Sequence, residues 1–192
     1  MPNAIDLHRS ASPAETGPTT KPAPAAAPHH GAARPDHIAS GSDVATSGPL
    51  KGIRYGREMA AAAAQHQVDP ILVAAVAAQE SGGPGAINGD ANAVQKGGGG
   101  RGLMQLDERW HKLAHPFDPS ENADKGAEVL RNNVVREHGD VRKAVQEYNT
   151  GPHPASGTTQ TWPDGKVMNY ADSVMRHYQD IKAHVEAQNA KH

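Results

Sequence analysis

The sequence contains no cysteine, so it can form neither a disulfide framework nor a metal site with thiolate ligands. It also lacks an excess of charge of either sign, because 19 basic and 21 acidic side chains nearly cancel over 192 residues. Proteins that bind nucleic acids normally present a concentrated basic face, and the sequence shows none. We therefore expect no nucleic-acid partner.

Long apolar runs are missing as well. No segment approaches the roughly 20 apolar residues that a membrane-spanning helix needs. The first residues, 1–6, do not combine a basic start with an apolar run, which is the pattern of a signal peptide. We expect a chain without a membrane span or a recognisable signal peptide.

Residues 1–48 are rich in Ala, Pro, Ser, Thr, Gly and His and carry almost no large apolar side chains. Such a segment cannot bury enough surface to offset the entropy of ordering it. We predict a disordered tail over residues 1–48 and one folded domain over residues 49–192. Three histidines of the tail, His29, His30 and His37, are interpreted as solvated side chains rather than metal ligands.

The segment that begins at Asp69-Pro70 predicts a buried helix. The aspartate is a typical N-cap, and proline is tolerated at the first helical position, where its missing N–H costs nothing. Leu72, Val76 and Glu80 follow at spacings of four and therefore share the face that points to the core. Gly82-Gly83 ends the helix. The pattern places a carboxyl group at the end of an apolar helix.

The remaining periodicity is also mainly helical. We predict further helices over residues 52–67, 121–137, 141–149 and 166–187, with Ser120 as the cap of the second, and a loop over residues 153–165. The glycine-rich segment 84–101 contains Asn88-Gly89, a hairpin signal, so short or irregular β structure is expected there, lining a cleft. No Gly-Lys-Ser/Thr follows Gly97–Gly100, which excludes a phosphate-binding loop.

Four separated motifs share their order and approximate spacing with one protein family. They are Glu80-Ser81, Gly102-Leu103-Met104-Gln105, Tyr148-Asn149-x-Gly151 and Tyr170-Ala171-x-x-Val174. The motifs resemble those of goose-type lysozymes and the related soluble lytic transglycosylases (SLT) over about residues 52–185, and the block from Gly102 to Lys112 is more similar to the goose-type branch. The resemblance implies a mainly α, lysozyme-like fold, with two lobes and a small irregular or β segment at the cleft between them.

The same resemblance implies roles for individual residues. Glu80 matches the general acid of the family, and Asp107 and Asp90 match aspartates that would assist a water molecule. Further positions match residues that bind substrate along the cleft; these are Gln105, His111, Tyr148, Asn149 and Tyr170. Trp110 and Trp162 either stack on sugars or anchor the fold.

The chemistry sets conditions on these carboxyl groups. A glutamate donates a proton near neutral pH only if apolar surroundings raise its pKa. Inverting hydrolysis also needs a base carboxylate roughly 6.5–9.5 Å away, with water between the two groups. For Asp90 and Asp107 the alternative is a loop-capping role. Without such a base, the C6 hydroxyl of the substrate would attack instead and give a 1,6-anhydro product, as lytic transglycosylases do.

We therefore predict a muramidase that cleaves the β-1,4 bond between N-acetylmuramic acid and N-acetylglucosamine. The alternatives are a lytic transglycosylase and a non-catalytic cell-wall-binding protein. No His-Glu-x-x-His motif supports a metal hydrolase, and neither a metal nor a cofactor is expected. The expected partner is the peptidoglycan glycan strand, with an inhibitor protein as a second candidate. We expect a monomer that acts outside the cytoplasm, whether secreted, periplasmic or delivered by a phage.

Overall fold

The folded part of the chain is built mainly from α-helices. The computed structural model describes residues 43–152 and 157–191, so most of the predicted tail lies outside the described residues. Two small antiparallel sheets accompany the helices within these ranges, which confirms the predicted fold class. The helices are α1 (Gly56–His66), α2 (Pro70–Ala77), α3 (Pro119–Arg136), α4 (Val141–Thr150) and α5 (Tyr170–Asn189). The sheets pair β1 (Gly100–Arg101) with β2 (Leu106–Asp107) and β3 (Thr159–Thr161) with β4 (Val167–Asn169).

Helix α2 lies at the centre of the core. Every residue from Leu72 to Ala78 is buried, and the helix packs against α1, α3 and α5. A helix that is covered on several sides has no polar face, as its sequence shows. Asp69 Oδ1 accepts a hydrogen bond from the Ile71 N–H at 2.8 Å, and Pro70 is the first helical residue. The predicted start of this helix is confirmed.

The chain leaves α2 through a π-helical turn, Ala78–Gly82, which contains Glu80. The Ser81 hydroxyl lies within hydrogen-bond distance of two carbonyl oxygens, those of Ala77 (2.9 Å) and Leu103 (2.7 Å), and accepts from the Asp90 N–H at 2.9 Å. One hydroxyl thus ties the turn to two loops. The regular α-helix predicted up to Glu80 is therefore wrong in its last turn, and π-helical turns are frequent at functional sites.

Several predicted helix boundaries also differ from the structure. Helix α3 begins earlier than predicted because Asp118, not Ser120, is its cap: Asp118 Oδ1 accepts from two successive backbone N–H groups, each at 2.9 Å. Helix α1 begins later, at Gly56, and α5 begins at Tyr170 because residues 167–169 pair with residues 159–161 of the predicted loop.

Over residues 43–152 and 157–191, no helix is long and apolar enough to cross a membrane.

The short β structure expected in the segment 84–101 is present as β1 and a β-bridge between Val94 and Arg101, but the Asn88-Gly89 pair does not connect two paired strands. Asn88 Oδ1 instead accepts a hydrogen bond from the Arg54 N–H at 2.8 Å. A Cβ on Gly89 would lie 2.7 Å from both Ser81 Oγ and Leu103 Cδ1. This glycine is required because the loop packs directly against the π-helical turn.

Residues 43–48 belong to the folded part of the chain. Val44 forms a β-bridge with Arg54, and Ala45 is buried. The folded part therefore includes residues before the predicted boundary at residue 49.

Candidate active site

Glu80 is the carboxyl group at the end of the central helix, and its surroundings favour the protonated form. Its Oε1 accepts a hydrogen bond from Tyr170 Oη at 2.5 Å. Burial raises the pKa of Glu80 to about 7, and the Tyr170 hydrogen bond, which lowers the pKa, offsets only part of this rise. Both the acid and the carboxylate are therefore populated near neutral pH.

Two tyrosines from different helices lie close to this carboxyl group. Tyr170 is the first residue of α5, and Tyr148 lies near the end of α4, where its hydroxyl donates to the carbonyl oxygen of Met104 at 3.0 Å. Burial and the nearby charge of Glu80 raise the pKa of both tyrosines well above the ordinary value. Both phenols therefore stay neutral and act as hydrogen-bond donors beside Glu80.

A cavity of about 800 Å³ lies beside Tyr148, which forms part of its wall. Its walls are the segment 105–111, one face of α3 and the C-terminal part of α4. A cavity of this size fits the range of ligand-binding clefts. Glu80 does not line it, but Tyr148 does. Of the predicted site residues, the cavity brings together Gln105, Asp107, His111 and Tyr148.

Asp107 lies in the cavity wall, but its charge is engaged by Arg109. Its carboxylate accepts hydrogen bonds from the Arg109 guanidinium, with Nε at 2.9 and 3.0 Å, and from the Arg109 backbone N–H at 2.9 Å. These hydrogen bonds lower the pKa of Asp107 to about 2. The carboxylate is therefore charged at all physiological pH values.

Asp90 is exposed and does not line the cavity. Its Oδ1 accepts from the Asn92 N–H at 2.9 Å, an Asx turn that shapes the loop. Its connection with the π-helical turn is through its backbone, whose N–H donates to Ser81 Oγ. Within the described residues, no carboxylate contributes to the pKa of Glu80.

The other predicted binding residues lie at the cavity or beside it. Gln105 uses its amide to hold the turn between β1 and β2, donating to the carbonyl oxygens of Gly102 (2.7 Å) and Ala93 (3.0 Å). Asn149 Oδ1 accepts from the Thr158 N–H at 3.0 Å and so fixes the segment before β3. His111 is half-buried, and burial lowers its pKa. No group of three His, Asp or Glu side chains is placed to hold a metal ion in the ranges that the structure describes.

A hydrogen-bonded chain behind Glu80 was not predicted from the sequence. Trp162 Nε1 donates to Ser173 Oγ at 2.9 Å, and the Ser173 hydroxyl donates to Gln79 Oε1 at 2.6 Å. It joins the β3–β4 hairpin, α5 and the residue before Glu80, and all three side chains are buried. Trp162 is thus an anchor, whereas Trp110 is 78% exposed at the cavity.

Comparison with known proteins identifies the family. The family model described as Transglycosylase SLT domain matches residues 58–164, which is more than half of the chain. The chain belongs to this family. The match includes the Glu-Ser motif, the Gly-Leu-Met-Gln turn and Tyr148-Asn149, and it ends before Tyr170.

A relative of this SLT protein is the "Transglycosylase" of Enterobacteria phage PRD1. The two are 36% identical over 121 residues, which is 60% of this chain and 42% of the phage protein. The match therefore spans less than half of the relative's length. Together these comparisons confirm the predicted relationship to soluble lytic transglycosylases; the closer similarity to the goose-type branch stays a prediction.

Proposed function

We propose that this SLT protein is a lytic transglycosylase of peptidoglycan. It cleaves the β-1,4 bond between N-acetylmuramic acid and N-acetylglucosamine, with Glu80 as its only acid and base. The observation that carries the proposal is one partly buried carboxyl group whose pKa is raised to about 7, with no carboxylate among the groups that shift it. The family and the name of the phage relative support the same activity. We therefore favour transglycosylation, the alternative from the sequence analysis, over hydrolysis, which was the main prediction.

The proposed reaction needs one group that first donates and then accepts a proton. Protonated Glu80 donates to the glycosidic oxygen as the bond from C1 of the muramyl unit breaks. The C6 hydroxyl of the same unit then attacks C1, and its proton passes to the Glu80 carboxylate. The result is a 1,6-anhydro end without consumption of water. A pKa near the working pH suits both steps.

Tyr170 and Tyr148 support this group in the proposed mechanism. The hydrogen bond from the Tyr170 hydroxyl to Oε1 fixes the orientation of the Glu80 carboxyl group. It also stabilises the carboxylate that forms after the first step. Tyr148 lies close enough to Glu80 for the charge of that carboxyl group to raise the tyrosine pKa, and it also lines the cavity in which the glycan strand would lie. Because peptidoglycan lies outside the cytoplasm, the protein would act there.

The environment of Asp107 argues against a water-activating base. The strength of a general base falls with its pKa, and a carboxylate with a pKa of about 2 is a weak base. Both of its oxygens already accept hydrogen bonds from Arg109. Asp90 caps its own loop. The substrate's C6 hydroxyl is therefore the better nucleophile in this site.

The test is mass spectrometry of the muropeptides released from purified peptidoglycan. We expect products with anhydro-muramyl ends from the wild-type protein and none from Glu80→Gln, which keeps the shape of the side chain but cannot donate the proton. Products one water heavier, with reducing muramyl ends, would establish hydrolysis instead. No soluble product from the folded wild-type protein would support the wall-binding alternative.

A further inference from the structure

Arg136 is a charged residue of the cavity wall that the proposed mechanism does not use. It is the last residue of α3, and its side chain is half-exposed to the cavity. Across the cavity wall lies Glu147 of α4, the residue before Tyr148, with a side chain only 7% exposed.

Arg136 is held from one side only. Its Nη1 donates to Glu147 Oε1 and lies 3.3 Å from Asn133 Oδ1. Asn133 is itself fixed, because its amide donates to the carbonyl oxygen of Ala144 at 3.2 Å. The buried carboxylate and the fixed amide therefore set the orientation of the guanidinium group relative to both helices.

The other edge of the guanidinium has no partner. Neither Nε nor Nη2 of Arg136 forms a hydrogen bond with the part of the chain that the structure describes. These two atoms present parallel N–H groups, the arrangement that binds both oxygens of a carboxylate. Because Glu147 already orients the group, little side-chain entropy would be lost when such a ligand binds.

The substrate class of the proposed function supplies a matching group. Every second sugar of peptidoglycan is a muramyl unit with a lactyl arm, which ends in a carboxylate or carries a peptide that contains carboxylates. We propose that the free edge of Arg136 binds a carboxylate on the muramyl side arm of the substrate. The inference rests on the proposed peptidoglycan substrate, and it makes Arg136 a determinant of which strands bind.

The variants must remove the free edge without leaving Glu147 as an unpaired buried charge, which would destabilise the fold. Arg136→Gln combined with Glu147→Gln replaces the ion pair with two amides. Glu147→Gln alone keeps Arg136 and is the matched control. Arg136→Lys is a second test variant, since lysine can pair with Glu147 but offers no parallel N–H groups. Thermal unfolding verifies that each variant is folded.

Binding is measured by titration calorimetry in a Glu80→Gln background, so that no strand is cleaved. One pair of ligands consists of peptide-free glycan strands with free lactyl carboxylates and the same strands coupled to methylamine. The second pair consists of peptide-bearing strands and their methylamine-coupled form. We expect about tenfold tighter binding of the charged member in at least one pair. A preference in the first pair identifies the lactyl carboxylate, and one confined to the second pair identifies the peptide.

The preference for charged strands over their methylamine-coupled forms should vanish when both Arg136 and Glu147 are replaced. It should fall severalfold with Arg136→Lys and persist with Glu147→Gln. An undiminished preference in the folded Arg136 variants, or no preference in either pair with Arg136 present, overturns the proposal. If the variant with both substitutions does not fold, Arg136→Lys decides alone. Since this measurement needs no cleavage, it remains valid if wild-type products disprove transglycosylation.

Discussion

Glu80 and Asp107 lie in different parts of the site, and their surroundings shift the pKa values of the two carboxyl groups in opposite directions. Glu80 lies at the end of a helix that is covered on several sides, receives one neutral donor and has its pKa raised to about 7. Asp107 is the last residue of β2 and lies beside a guanidinium group, which lowers its pKa to about 2. A carboxyl group that is buried without a neighbouring cation keeps its proton up to near-neutral pH. A carboxyl group that is paired with a cation stays ionised throughout the physiological pH range. Motif matches alone would have given both residues catalytic roles.

The largest expected effect comes from Glu80→Gln. Without a proton to donate, release of soluble products should fall by about three orders of magnitude or more. The measurement is the rate of muropeptide release at pH 7 from folded protein. Near wild-type rates would remove Glu80 from the mechanism.

The same substitution should increase stability at high pH. Glu80 has a pKa of about 7 when folded against 4.5 as its ordinary value, so its contribution to stability is fully present below pH 4.5 and is lost as pH rises through 7. Glutamine stays neutral, and Glu80→Gln should therefore match the wild type near pH 4 and exceed it by up to about 3 kcal/mol at pH 8. Denaturant unfolding at a series of pH values measures this. Equal stability at every pH would mean that the folded carboxylate is well solvated.

Tyr170→Phe tests the one contact that moderates the pKa of Glu80. Loss of the hydroxyl should raise that pKa above about 7, because the hydrogen bond favours the carboxylate. The alkaline limb of the kcat/KM profile should move to higher pH, and activity at pH 7 should fall about tenfold through lost orientation. The matched control is Tyr148→Phe, whose lost hydroxyl contacts Met104 rather than Glu80 and should leave the limb in place. Equal shifts in both variants would contradict this assignment.

Local signals predicted much of the frame around Glu80. Asp69-Pro70 fixed the start of the central helix because a cap and a first-turn proline depend only on neighbouring residues. The spacing of Leu72, Val76 and Glu80 predicted one buried face, whereas the structure buries α2 on all sides from Leu72 onward. The roles of Tyr148 and Tyr170 came from family resemblance alone, since a pattern of apolar residues cannot distinguish a core tyrosine from one beside a carboxyl group.

Contacts between distant segments explain what the sequence could not predict. The π-helical turn depends on Ser81 contacting Leu103 and Asp90, and the chain behind Glu80 joins Trp162 to Gln79 across 83 positions. Val167 fitted the periodicity of the last helix, yet it lies in a strand and is 68% exposed. Hydrophobic spacing is a local signal, whereas these positions are set by tertiary pairing.

Asp107→Asn should have the smallest effect on activity and would sharpen the comparison most. If the C6 hydroxyl attacks, no base is needed here, and the rate should stay within about threefold of wild type with anhydro products unchanged. Its effect on stability should have the opposite sign to that of Glu80→Gln. A carboxyl group with a lowered pKa stabilises the fold above its ordinary value of 3.8, and this contribution is lost as pH falls through about 2. Asp107→Asn should therefore be slightly less stable than wild type at pH 7. A hundredfold loss of rate in the folded variant, or a change from reducing to anhydro ends on substitution, would make Asp107 part of the chemistry and return hydrolysis to first place.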